Sequence, residues 1–222
     1  MQSYTILGER NTGTHFLQYA IQFNFNLQYH KGTKHFFGHS DTADFPPETA
    51  DQTIYFCMIR DPVEWIDSHF KRLHHIPPEN NKSIDAFIKN EWYSIYEEGD
   101  KSGQEILEDR NMITKERYRN IFELRKGKND FFLSTIQEKV KHFYLIRYED
   151  LLHNYETILN DIAKKFQLKS KLDSWIPVPK YKGTFHALYE KKPILLSPEI
   201  QQYIKENIDV EQEQRLGYLL DI

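Results

Sequence analysis

Gly8-Glu9-Arg10-Asn11-Thr12-Gly13-Thr14-His15 follows a short apolar run and opens a stretch of helical period, the pattern of a loop that holds an anion. In such a loop successive backbone N–H groups and the positive end of the next helix converge on one point. The spacing Gly8-x4-Gly13 is that of the P-loop, which continues with a lysine for the terminal phosphates and a serine or threonine for magnesium. Here those positions hold Thr14 and His15. A triphosphate would be poorly compensated without that lysine and hydroxyl, so the loop suits a less charged phosphate ester handled without metal. Arg10 adds one fixed positive charge. The alternative is an ordinary strand-to-helix turn.

A second cation ends another apolar run. Arg60 closes Ile54-Tyr55-Phe56-Cys57-Met58-Ile59, and Ser68 follows eight residues later. Open α/β sheets bind ligands beyond the carboxyl ends of their strands. A serine one to two turns into the next helix could reach the same phosphate as Arg60. The alternative pairs Arg60 with Asp61 or another carboxylate and leaves Ser68 solvated. The 10 histidines supply bases near neutral pH. His69, His74 and His75 with Asp67 lack an i, i+4 pair with a third ligand, so no metal site is expected there.

Together these motifs resemble the sulfotransferase family, which binds 3'-phosphoadenosine 5'-phosphosulfate in a P-loop-like fold. The family's loop reads K/R-x-G-T-T or K/R-x-G-S-S, and Asn11-Thr12-Gly13-Thr14-His15 is similar to it. Its second motif, R-x-P-x5-S-x-[YF], is matched in full by Arg60-Asp61-Pro62-Val63-Glu64-Trp65-Ile66-Asp67-Ser68-His69-Phe70. Tyr144-Leu145-Ile146-Arg147-Tyr148-Glu149-Asp150-Leu151 is similar to the family's strand and Y-E-D-L turn. It reads as architectural, with Glu149 and Asp150 favouring a helix N-terminus. Lys180-Tyr181-Lys182-Gly183 resembles the late basic loop that closes over the donor, and Arg125-Lys126-Gly127 competes for that role.

The resemblance implies transfer of a sulfonyl group, by in-line displacement without metal, to a hydroxyl of a carbohydrate or small metabolite. It implies that Arg10, Asn11, Thr12, Gly13, Thr14 and His15 hold the phosphosulfate. Arg60 and Ser68 would take the 3'-phosphate, and Lys182 and Gly183 would cover the nucleotide. A catalytic histidine after a similar Lys/Thr-containing step points to His35 in Thr33-Lys34-His35-Phe36, with Lys34 as auxiliary cation. His39 is the alternative base, and Glu64 another. The family carries Lys or Arg where this chain has Asn11, whereas its positive residue, Arg10, stands one place earlier. Either Arg10 stabilises the leaving phosphate, or Asn11 donates a neutral hydrogen bond and the cation comes from elsewhere. Two other function classes stay open. One is a small-molecule kinase using ATP, against which Thr14 argues; the other is a nucleotide-binding protein without turnover.

The elements that must carry these residues follow from the apolar pattern. Segments 4–7, 53–59 and 142–146 are short, apolar and rich in β-branched or aromatic residues, and a polar turn and a helix-period stretch follow each. That rhythm predicts an α/β fold, three-layer α/β/α around a mostly parallel sheet. A fourth strand is expected within 27–39, where Gly32 and Gly38 bracket a segment without helical period. Helices are expected over 13–25, 63–74, 84–97, 115–140 with a break near Gly127, 149–166, and 198–220 with a break near Ile208. Ser83 and Ser197 are the expected N-caps of two of them. Region 77–120 reads as a polar, helical insertion, on which Trp92, Tyr93 and Tyr96 form either a stacking wall for a sugar or simple packing.

At 222 residues the chain has the length of one domain. Its net charge of -4 gives no global basic field, so nucleic acid is not an expected partner. The single cysteine, Cys57, excludes an intrachain disulfide and a paired-cysteine zinc site, which favours a reducing compartment. There is no apolar run of about 18 residues and no basic-then-apolar start, so neither a membrane span nor a signal peptide is expected, and a cytoplasmic location is.

Overall fold

The computed structural model describes residues 3–46, 49–178 and 192–219. Its centre is a sheet of β1 (Ser3–Gly8), β2 (Gln28–Tyr29), β3 (Thr53–Ile59) and β4 (Phe143–Arg147), all parallel and in the order β2-β1-β3-β4. Every residue of β3 is buried, which is why it reads as an unbroken apolar run. Register pairs Gly8 with Met58 and Ile59 with Arg147, so the carboxyl ends of β1, β3 and β4 meet along one edge.

Helices α1 (Thr14–Asn24), α2 (Asp41–Asp44), α3 (Pro62–Phe70), α4 (Ile84–Lys89) and α5 (Ile121–Asp130) come before β4, as does α6 (Ile136–Lys139). After it come α7 (Tyr148–His153), α8 (Tyr155–Phe166), α9 (Pro198–Asn207) and α10 (Val210–Arg215). Alternation along the strands builds two cores. Tyr4, Ile6, Phe56 and Met58 pack with Phe16, Leu17 and Ile21 of α1 and with Leu151, Leu159 and Ile162 of α7 and α8. Leu7, Tyr55, Cys57 and Ile59 pack on the other face with Phe37, Phe131, Phe132 and Ile136. Each such fully buried side chain contributes roughly 1.5–3 kcal/mol. Helices therefore flank both faces of the sheet, the three-layer arrangement expected.

Several expectations change, among them the single helix expected over 149–166, which is two, α7 and α8, divided at Asn154. The fourth strand exists but is only two residues long. Beyond it the chain still tracks β1, with the His30 N–H on the Tyr4 carbonyl (2.7 Å) and the Gly8 N–H on the Lys34 carbonyl (3.0 Å). A turn closed by the Phe36 N–H on Thr33 interrupts any regular ladder there. Gly127 does not break its helix; it lies within α5 against the Tyr118 ring, and the irregularity is a wide π-helical turn at Phe131–Thr135.

Region 77–120 is far less helical than expected. Among the described residues it holds α4 and a single 3-10 turn, Leu107–Asp109, and antiparallel bridges join Trp92 to Tyr118 and Ile95 to Glu105. Trp92, on an extended segment and not a helix, is fully buried against Phe87 and His69 and stabilises a third core with α3 and α9. Tyr93 lies under the Arg117 guanidinium. Among the described residues, no helix is long and apolar enough to cross a membrane.

Candidate anion-binding site at the sheet switch point

From β1 the chain crosses to β2 on one side and then returns to β3 on the other, so the crevice between β1 and β3 is a topological switch point, the usual ligand position in such sheets. Both sequence motifs sit there. The Gly8–His15 loop leaves β1, and Arg60 leaves β3.

The two loop glycines are required by close approach. A β-carbon on Gly8 would lie 2.8 Å from both the Met58 carbonyl and the Thr14 methyl. Gly13 has φ 99°, and a β-carbon there would lie 3.0 Å from Cε2 of Tyr148 and nearer still to Cδ2. Asn11 is also left-handed, at φ 61°. Such reversals turn neighbouring N–H groups toward one side, the geometry of an anion nest. The Thr12 hydroxyl and N–H both donate to the Glu9 carbonyl, at 2.7 and 3.3 Å, and close the turn. Thr14 is buried, and His15, on the first turn of α1, is exposed.

Arg60 lies against this loop. Its Nη1 donates to the Asn11 carbonyl at 3.2 Å, its Nη2 meets Glu64 at 3.5 Å, and its guanidinium stacks 4.3 Å from the Tyr148 ring centre. Its Nε has no hydrogen-bond partner among the described residues. Asp61 does not pair with it; the Asp61 carboxylate caps α3 by accepting from the Val63 and Glu64 N–H groups at 3.0 Å. Ser68 is part-buried on α3, one turn beyond Glu64 on the same helical stripe. Asn11 donates its side-chain amide to the Arg72 carbonyl at 3.3 Å, at the end of that stripe. Glu149 is more than a helix-dipole partner, because it accepts the Asp61 N–H at 2.9 Å and so holds the turn that follows Arg60.

Lys34 and His35 reach the loop from the segment after β2. Lys34 places Nζ 3.3 Å from Nε2 of His15, and burial lowers its pKa to about 8. His35 is part-buried, with Nδ1 2.6 Å from the Gly8 carbonyl. A carbonyl only accepts, so Nδ1 carries the proton and Nε2 the lone pair. Burial first, and then the positive Arg10, lower the His35 pKa to about 3 despite that hydrogen bond. The imidazole is therefore neutral at physiological pH, and an anion bound beside it would make it a stronger base.

Arg10 is placed differently from the expectation. Its side chain, 3% exposed, points inward, with Nη1 on Glu9 at 3.0 Å and Nη2 on Asp109 and Ser94 at 2.8 and 2.9 Å. Burial of two carboxylates beside it explains the direction: a guanidinium in that interior must be paired. Both Arg10 Nη atoms are thus engaged in the interior, whereas Lys34 meets His15 and Arg60 meets the Asn11 carbonyl on the loop itself. In the competing basic segment, Arg125 lies within α5, buried and paired with Glu213 at 2.5 Å. Lys182 and Gly183 lie outside the described residues. His39 is part-buried, with no partner for Nδ1 among the described residues. Sequence reasoning missed the Tyr148 ring under Arg60, although its motif was in view. It also missed the buried Glu9–Arg10–Asp109–Lys128 cluster, whose members are separated by up to 119 residues and leave no local pattern.

The chain matches no protein-family model, and no curated protein matches it.

Proposed function

We propose that the chain is a sulfotransferase of P-loop-like fold that moves the sulfonyl group of 3'-phosphoadenosine 5'-phosphosulfate to a hydroxyl acceptor, a carbohydrate or small metabolite. The observation that carries this reading is the meeting of two motifs 49 residues apart, with Arg60 Nη1 on the Asn11 carbonyl at the switch point. One anion pocket would be the glycine loop with His15 and Lys34, and the other Arg60 with Ser68. A donor bearing a phosphosulfate and a separate ribose phosphate suits two pockets, and the unpartnered Arg60 Nε suits the second.

Transfer to a hydroxyl needs in-line placement, a base, and stabilisation of charge on the leaving phosphate. His35 Nε2 takes the acceptor proton in this reading, and Lys34 and the loop N–H groups stabilise the leaving oxygen. Thr14 in place of a lysine favours this donor over ATP. Titration calorimetry with the desulfated nucleotide, then a sulfate-transfer assay, tests the proposal. Arg60→Ala should weaken the 3'-phosphorylated nucleotide by roughly 10- to 100-fold, the worth of a charged hydrogen bond, while nucleotide lacking that phosphate changes little. Equal losses for both would remove the assignment. Binding without turnover would favour a nucleotide-binding protein, and turnover with ATP and magnesium a kinase.

A further inference from the structure

Behind the anion loop, α5 sends one ammonium group into the interior. Lys128 is 2% exposed, and its Nζ donates to the carbonyls of His35 (3.0 Å) and Phe37 (3.3 Å) and pairs with Asp109 at 3.4 Å. An ammonium has three protons and no acceptor, and here it has three partners. Two belong to the segment that carries the candidate base. The third, Asp109, also binds Arg10 of the anion loop at 2.8 Å.

We propose that Lys128 is a positioning residue for transfer: it fixes the backbone of 35–37, and with it the place of the His35 imidazole beside the anion loop. The proposal rests on the transfer reading above. Removing an ammonium from water is costly, and only well-placed acceptors offset that cost. An apolar side chain would fill the same space over the Phe37 ring, 4.4 Å away, but would leave two carbonyls without this donor. Lys128 thus holds the main chain at His35, while Gly8 holds the ring through Nδ1 at 2.6 Å. The base is fixed at two points, and Asp109 and Arg10 tie one of them to the loop.

Lys128→Arg is the test, because it retains the charge that Asp109 needs while a planar fork cannot repeat two hydrogen bonds and an ion pair from one nitrogen. Three quantities are read on the full chain at neutral pH: the ring tautomer of His35 by two-bond proton–nitrogen NMR, the Kd of the desulfated nucleotide, and kcat for transfer. The expected result is loss of the single Nδ1–H tautomer and a fall in kcat of roughly 10- to 100-fold, with the nucleotide Kd within about twofold. Unchanged ring signals and kcat would overturn the proposal, as would a loss of nucleotide affinity as large as the loss of kcat. A changed tautomer in a chain that binds no nucleotide would instead sink the transfer reading and leave the positioning intact. Should the variant not fold, the unsubstituted protein decides, since a locked Lys128 ammonium exchanges its protons slowly enough to be seen by nitrogen NMR, and rapid exchange overturns the proposal.

Discussion

Replacing Gly13 by alanine should destabilise the protein and, on the transfer reading proposed above, weaken nucleotide binding with it. At φ 99° an L side chain is strained by about 1–2 kcal/mol. The new β-carbon would also press on Tyr148, 3.0 Å from Cε2. That ring is 7% exposed, meets Phe16 edge-on with centroids 6.1 Å apart, and carries the Arg60 guanidinium at 4.3 Å, so it has nowhere to swing. Displacing a packed ring adds about 1–3 kcal/mol. Together the two effects predict a loss of about 2–5 kcal/mol, or a drop in Tm of roughly 5–15 °C for a chain of this length. Urea titration measures the first quantity and calorimetric melting the second. Because Tyr148 supports Arg60, affinity for the 3'-phosphorylated nucleotide should fall as well. Tyr148→Leu in the Gly13→Ala background relieves the contact but not the backbone strain, so the pair should be strongly non-additive. Refutation would be a Gly13→Ala protein within about 0.5 kcal/mol of the parent, or two losses that simply add.

Three further outcomes are expected. His35→Ala should lower the transfer rate by about 10²–10⁴-fold with little change in nucleotide affinity; an unchanged rate would move the base to His39 or Glu64. His69 is fully buried among Trp65, Phe87 and Trp92, neither ring nitrogen has a hydrogen-bond partner among the described residues, and burial holds its pKa well below the ordinary value. As pH falls below about 6.5 the unfolded chain therefore takes up a proton that the folded chain refuses, so stability is lost at up to about 1.4 kcal/mol per pH unit. His35 acts in the same direction, down to about 3. His69→Phe should flatten this acid limb without loss at neutral pH, and an unaltered slope in urea titrations across pH 4–7, roughly the window named, would contradict the assignment. Asp109→Asn leaves Arg10 and Lys128 without their shared carboxylate and should cost about 3–5 kcal/mol, the price of an uncompensated buried charge; a loss under about 1 kcal/mol would show the cluster to be dispensable.

β1, β3, β4 and the capped helix starts were legible because their signals are local, whereas β2 is two residues long and α5 starts at Ile121 and not at 115. β3 runs over Thr53–Ile59 as expected because a strand buried on both faces needs an unbroken apolar run. Ser83 and Ser197 cap α4 and α9 by accepting the Ala86 and Ile200 N–H groups, as their types imply, and the break near Ile208 separates α9 from α10. The Gly8 and Gly13 positions were legible for the same reason. What was hidden depends on distant partners. The direction of Arg10 is set by Ser94 and Asp109, which lie 84 and 99 residues away. Trp92, Tyr93 and Tyr96 have near-helical spacing, but pairing of Trp92 with Tyr118 draws that stretch into an extended bridge. Tertiary contact overrode local periodicity there.

The inward turn of Arg10 also bears on the order in which the chain matures. A few consecutive residues spell the glycine loop, yet its shape depends on Met58, Asp109 and Tyr148, all synthesised later. During synthesis the loop stays unshaped until those later segments have emerged, since contacts so distant in sequence close late. Any ligand of this loop would meet its shape only on the finished molecule.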